Sequence, residues 1–210
     1  MKEILARSKN LQQNMTLENL FSIICSNPDK VAARYLEGDE EKAITYAQYK
    51  ERAMAMAQYI NGILPVESEG KFIALQLDTC PDWFSVFWGI IASGHQALLL
   101  DFALNDEMTA YMLGQAGAAA IIGGKKRTLP ECYTQITLDE MKAAPAAPAF
   151  RPVFGTMVAL CTSGTTSTSR IFVYNETAIC NQVLNSELLY RSNKRIINDK
   201  PNRNLAFLPF

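Results

Sequence analysis

Between residues 72 and 124, short apolar runs alternate with helix-length segments. Residues 72–77 alternate and then fill in with apolar side chains, as a buried strand does. Asp78-Thr79-Cys80-Pro81-Asp82 punctuates. The pattern then predicts a helix over 83–92, ended by Gly94, and a strand over 97–100. Asn105-Asp106-Glu107 opens a further helix, with acidic groups at its positive end. That helix stops at Gly117, and a strand over 118–122 is closed by Gly123-Gly124. Strand, helix, strand, helix, strand at this spacing implies an α/β fold, with parallel βαβ sheet layers and helices on both faces.

The flanking segments fit the same class. Thr16 caps a helix over 17–25, stopped by Asn27-Pro28. Residues 31–36 alternate weakly as a strand, and 38–41 read as a turn. Thr45-x-x-Gln48 is a capping box that opens a helix ending near Asn61-Gly62. Residues 143–152 carry three prolines and several alanines. A strand follows over 157–161, then a loop over 162–170, a strand over 171–174 and a helix over 177–190. Residues 205–210 are apolar and strand-like. The expected division is a first βαβ lobe over 1–142, a Pro/Ala-rich crossing over 143–156, and the start of a second, truncated lobe over 157–210 that holds the 162–170 loop.

Charge excludes one class of function. Lys and Arg number 20 against 21 Asp and Glu, for a net charge of -1, so no basic field exists to hold a nucleic-acid backbone. Lys125-Lys126-Arg127 reads as a solvated loop after a strand. The 83–100 stretch is about as long as a bilayer span, but Ser93-Gly94-His95-Gln96 interrupts it, so no membrane span is expected. The five cysteines are odd in number and none has redox or zinc spacing, which fits buried reduced thiols in a cytoplasmic protein. His95, the one histidine, reads as a satisfied structural residue at a turn. Trp83, Phe87 and Trp88 read as core packing rather than an acyl pocket.

The chemistry sits in Thr162-Ser163-Gly164-Thr165-Thr166-Ser167-Thr168-Ser169-Arg170. Its first eight residues are small and seven of them carry hydroxyls, so they cannot serve as core. Directly after a buried strand, such a loop can aim backbone N–H groups and hydroxyls at a polyphosphate. Arg170 adds a fixed cation with a fork of donors. The Walker pattern Gly-x-x-x-x-Gly-Lys-Ser/Thr is absent. From residue types alone, a flexible Ser/Thr linker fits the same run.

The loop resembles the phosphate-binding signature of adenylate-forming (AMP-binding) enzymes, Thr-Ser-Gly-Thr-Thr-Gly-x-Pro-Lys-Gly, and Thr162 to Thr166 match it outright. Further matches run along the chain in family order. Ile44-Thr45-Tyr46 resembles its Leu-Thr-Tyr, and Leu99-Leu100-Asp101 its Pro-Leu-Asp. Residues 75–94 resemble its strand, helix and glycine turn. Gly117-Ala118 resembles its Ser-Gly-Ala, and Leu208-Pro209-Phe210 the start of its Leu-Pro-x-x-His. There are departures: Ser167 replaces a glycine, Ser169 a proline and Arg170 a lysine, while Asn175 stands where many members have histidine.

The resemblance implies the N-terminal portion of an AMP-forming ligase, either an acyl-CoA synthetase or a peptide-synthetase adenylation domain. Because the chain opens directly on the adenylation-type pattern, the former is favoured. Such an enzyme activates a small-molecule carboxylate with ATP and Mg²⁺ and passes the acyl group to coenzyme A or a carrier protein. Thr162, Ser163, Gly164, Thr165 and Thr166 would cradle the phosphates, with Arg170 as a closing contact. The catalytic residues and the Mg²⁺ ligand are expected beyond Phe210, so the chain is expected to be a fragment unable to form acyl-adenylate. The alternative is a non-catalytic adenylation-like scaffold with a degenerate phosphate loop. Apolar residues 205–210 predict a homodimer.

Overall fold

A computed structural model describes residues 2–143, 150–161 and 170–192. Two helices open the chain, α1 (Lys2–Gln13) and α2 (Leu17–Ile24). Thr16 caps α2 as expected, accepting from Asn19 N at 3.1 Å, and the helix buries Leu17, Leu20 and Phe21. Strands β1 (Val31–Glu37) and β2 (Glu40–Thr45) form an antiparallel hairpin around Gly38, whose φ of 62° suits a residue without Cβ. The Thr45/Gln48 capping box is present in full and starts α3 (Tyr46–Ile63).

The remaining strands build one six-stranded sheet. In chain order these are β3 (Phe72–Gln76), α4 (Trp83–Ala92), β4 (Gln96–Leu99), α5 (Asp106–Ala116), β5 (Ala120–Gly123), β6 (Thr134–Thr137), α6 (Leu138–Ala143), β7 (Met157–Cys161), β8 (Ile171–Asn175) and α7 (Glu176–Ser192). The sheet order is β6-β5-β3-β4-β7-β8, parallel except for β8, which runs antiparallel to β7. The expected strands and helices between 72 and 123 are therefore all found, within two residues at their ends. Strands β7 and β8, which the sequence reading set at the start of a second lobe, are hydrogen-bonded members of the same sheet as β3–β6. β7 reaches that sheet by pairing with β4, Leu98 against Ala159.

Alternation along the strands creates two cores. Ile73, Leu75, Ala97, Ala120, Ile122 and Val158 face α2, α3 and α4. Ala74, Leu98, Ile121 and Ala159 face the other way, onto Met112 and Leu113 of α5. The first crossover, β3-α4-β4, moves one way along the sheet. The second, β4-α5-β5, moves back past β3. Both can be right-handed only with α4 and α5 on opposite faces, as observed. Helices α3 and α4 cross closely: a Cβ on Gly89 would lie 2.8 Å from Met56 Cβ and 3.3 Å from the Ala53 carbonyl.

The amino ends of the strands are tightly satisfied. Gln96 Oε1 accepts from Thr156 N at 2.9 Å and Met157 N at 2.6 Å, which fixes the entry to β7. Gly155 donates to the Ile91 carbonyl at 2.7 Å, and a Cβ there would sit 1.9 Å from the His95 carbonyl oxygen. His95 is buried between two serines, Nδ1 at 2.9 Å from Ser93 Oγ and Nε2 at 3.2 Å from Ser68 Oγ. A neutral imidazole has one N–H, which one serine oxygen accepts; the other hydroxyl divides its single hydrogen between the ring and the carbonyl it also reaches, Ile90 from Ser93 at 2.7 Å or Pro65 from Ser68 at 2.6 Å. Burial pushes the His95 pKa down. This is the satisfied structural histidine that the sequence led us to expect.

Candidate functional site at the carboxyl ends of the strands

In open parallel sheets, ligands bind outside the carboxyl ends of the strands, near the point where strand order reverses. Here β3 and β4 flank that point, and their carboxyl ends lie beside those of β5 and β7: Leu75 pairs with Leu99 and Ile122, and Leu99 with Leu160. The 162–170 loop leaves from this same end. Its roots, Cys161 and Ile171, are Cα partners across the β7–β8 pair. Thr162, Ser163, Gly164, Thr165 and Thr166 lie outside the described residues, as do Ser167 and Ser169. Arg170 is described. It is exposed and makes no ion pair among the described residues.

At this end of the sheet, side chains from the end of β3 and from the connections after β4 and β5 fix the turns. Gln76, buried at the end of β3, donates to the Asp101 carbonyl at 3.0 Å and to Thr109 Oγ1 at 3.1 Å, anchoring the turn after β4. Asp101 Oδ1 accepts from Ala103 N at 2.9 Å within that turn. Arg127, from the loop after β5, donates to the carbonyls of Leu104 at 2.9 Å and Phe102 at 3.2 Å and pairs with Asp106 at 2.8 Å. Thr128 N donates to the other Asp106 oxygen at 3.0 Å; that bond, with the guanidinium behind it, lowers the Asp106 pKa. The Lys125-Lys126-Arg127 run is thus only partly solvated: Arg127 is a clasp, and Lys126 pairs with Glu140 at 3.0 Å. Its local sequence looks like any polar loop; its partners, Asp106 and Glu140, are distant in the chain.

A second feature escaped the sequence reading. Asp82, at the start of α4, is buried and held by Arg52 of α3 at 2.7 Å and Lys142 of α6 at 2.6 Å. Tyr49 donates to the adjacent Pro81 carbonyl at 3.1 Å. Burial, and then the Asp82 charge, raise the Tyr49 pKa, so the phenol stays protonated. The cluster ties three helices together.

Cys161, at the root of the loop, is half-buried, and desolvation raises its pKa to about 11. It is a thiol at neutral pH and a poor nucleophile. All five cysteines are free; Cys180 is buried and Cys132 is exposed, so the expectation of five buried thiols is corrected. Cys132 sits in a surface turn between β5 and β6, where no core is available to cover it. Trp88 is core, 4.8 Å from Phe21 between ring centroids, and Trp83 stacks on Phe87 at 5.8 Å. Asn175, in the position where a histidine was noted, caps α7 by accepting from Ala178 N at 2.9 Å. Among the described residues no group of three or more His, Cys, Asp or Glu could hold a metal, and no helix is long and apolar enough to cross a membrane.

The family model of AMP-binding enzymes matches residues 24–210. The chain belongs to the AMP-binding enzyme family. Solved structures share its fold. The nonribosomal peptide synthetase FmoA3 superposes with a TM-score of 0.68 at 19% identity, over 84% of this chain and 19% of its own. The N-terminal subdomain of Klebsiella oxytoca NpsA, bound to 3-hydroxybenzoyl-AMSN, gives 0.65 at 17% identity over 77% and 41%. The McyG A-PCP protein with phenylalanyl-adenylate gives 0.70 at 15% identity over 84% and 30%. The chain thus spans less than half the length of each of these neighbours, and corresponds to the N-terminal part of the adenylation fold. A search of curated proteins by sequence returned no match.

Proposed function

We propose that this AMP-binding chain is the phosphate-gripping part of a ligase that activates a small-molecule carboxylate with ATP and then transfers it to a thiol, coenzyme A or a carrier protein. In the first step a carboxylate oxygen forms a bond to the α-phosphorus while the bond from that phosphorus to the bridging oxygen breaks, and pyrophosphate leaves. In the second, the thiol sulfur bonds to the acyl carbon, its proton is lost, and AMP leaves. The carboxylate is ionised at neutral pH, so the first step requires no general base. That agrees with a chain whose one histidine is buried at the amino end of β4, the opposite end of the strands from Cys161 and Ile171. What it requires is placement of the triphosphate and stabilisation of charge on the leaving group.

Thr162, Ser163, Gly164, Thr165 and Thr166 supply that placement in this reading, by backbone amides and hydroxyls, and Arg170 adds a cation. Bound Mg²⁺ would neutralise further phosphate charge; none of the described side chains is assigned to it. The observation that carries the reading is the position of the signature loop, rooted at Cys161 and Ile171 on the carboxyl side of the parallel strands. The family match and the adenylate-bound and AMPPNP-bound neighbours support the use of ATP. The unpaired cysteines support a cytoplasmic setting. Since the chain spans less than half of those neighbours, we place the catalytic residues outside it and expect no acyl-adenylate from the chain alone.

The test is calorimetric titration of ATP and of pyrophosphate into the chain and into Thr165→Ala. Binding that weakens about tenfold in the variant supports the loop as the cradle. Unchanged binding, or none to the parent chain, overturns it. Carboxylate-dependent ATP–pyrophosphate exchange by the chain alone would overturn the assignment of catalysis elsewhere. A second reading, a non-catalytic scaffold, draws on Ser167, Ser169 and the commitment of Asn175 to capping α7; absent phosphate binding would favour it.

A further inference from the structure

The two side edges of the sheet are finished differently. At one edge, β6 is short and polar. The Gln135 side chain accepts from Arg127 N at 2.7 Å and donates to the Arg127 carbonyl at 3.1 Å, and Glu140 accepts from Thr137 N at 2.7 Å. Such an edge resists further pairing. At the other edge β8 has β7 on one side and no strand on its outer side among the described residues. Its sequence, Ile-Phe-Val-Tyr-Asn, holds no charge and no proline. Phe172 is 45% exposed, Val173 51% and Tyr174 42%, so both faces of the strand are open. Leu160, 42% exposed, stands opposite Phe172 and widens the apolar patch on that face. Helix α7 turns away to α1 and α2, through Glu187 to Ser8, Glu176 to Leu17 N and Cys180 to the Thr16 carbonyl.

We propose that β8 is a self-docking edge: a second copy of this chain pairs its own β8 antiparallel to it and joins the two sheets into one. What selects a second copy is the near-palindromic chemistry about Val173. A two-fold axis at Val173 sets Phe172 against the partner's Tyr174, a favourable aromatic cross-strand pair formed twice. The same register sets Arg170 against the partner's Glu176, an opposite-charge pair also formed twice. Arg170 is exposed without an ion pair among the described residues, and Glu176 is half-buried with one oxygen held by Leu17 N at 3.1 Å. Phe172 and Tyr174 share one face of the extended strand, the face that carries Leu160, while Arg170 directly precedes β8 and Glu176 opens α7 at its other end. This surface is separate from residues 205–210, the run that the sequence marked for dimerisation.

Sedimentation equilibrium of the chain, from about 1 to about 100 µM, tests the proposal. The expected result is a monomer–dimer equilibrium. Val173→Lys brings two like charges together on the axis and should leave a monomer at about 100 µM with an unchanged circular dichroism spectrum. Arg170→Glu should weaken the dimer about tenfold, and it keeps the question answerable if Val173→Lys misfolds. The double variant Phe207→Ser/Leu208→Ser should dimerise like the parent. A parent that stays monomeric overturns the proposal. So does a dimer that survives both Val173→Lys and Arg170→Glu, or one lost only with Phe207 and Leu208, since residues 205–210 would then carry the association.

Discussion

The two ends of the parallel strands spend their side chains differently. At the amino end, Gln96, His95, Ser68 and Ser93 bond to one another or to nearby backbone, and Gly155 passes against the His95 carbonyl with no room for a methyl group. At the carboxyl end, Gln76 and Arg127 are equally well bonded, but they hold the backbone of the turns. That leaves Arg170 exposed beside a loop of hydroxyls. One end closes the fold and the other fixes turns beside an exposed cation. A ligand can be met at the second end without loss of stability, and the contrast can be tested at both ends.

The largest effect is expected at Gly155. In Gly155→Ala the new Cβ would sit 1.9 Å from the His95 carbonyl, and the obstacle is backbone, which a rotamer change cannot relieve. Either β7 shifts away from β4 or the Gln96 bonds to Thr156 and Met157 break. We expect about 3 kcal/mol of destabilisation by urea unfolding. A loss within about 0.5 kcal/mol would mean that this end is looser than its geometry.

How far the sequence alone shows this contrast depends on the residue. The βαβ core was legible because Ile73, Leu75, Ile121 and Ile122 bury both faces of strands and because Gly117 ends α5 at a φ of 62°. The Thr45/Gln48 box marked the start of α3 to the residue. Strands β2 and β6 were not legible: Ile44 and Ile136 are the buried residues of otherwise polar strands, and their partners lie elsewhere in the chain. Helix α1, with a negative mean hydropathy, has the same difficulty. The Asp82 cluster draws Arg52 and Lys142 from helices far apart in sequence, so no local pattern could show it. The hydroxyl loop was legible from composition, but the side of the sheet from which it leaves is set by strand pairing. Nothing in the residues of β8 alone says that it is an edge.

A smaller effect is expected from His95, and its sign follows from burial. Its pKa in the folded chain lies below 6.5, so the unfolded chain takes up the proton first as pH falls. The contribution is present in full above about 6.5 and is lost as pH drops through the lower folded value. Urea midpoints measured between about pH 5 and pH 8 should therefore fall on the acid side for the parent chain, and His95→Gln should flatten that slope. A slope unchanged in the variant would assign the acid sensitivity to carboxylates instead.

The smallest effect on stability is expected at Arg170, and that is what makes it informative. Arg170→Ala removes an exposed cation that makes no ion pair among the described residues, so unfolding should change by no more than about 0.5 kcal/mol. Pyrophosphate affinity should nevertheless fall about tenfold, with partial retention in Arg170→Lys, which keeps the charge but not the fork of donors. The titration belongs at a protein concentration where the chain is monomeric, so that pairing through β8 does not compete for the same guanidinium. If Arg170→Ala instead cost as much stability as Gly155→Ala, the carboxyl end would be as closed as the amino end. Arg170 would then be a structural residue of that end, and its proposed role toward pyrophosphate would fall.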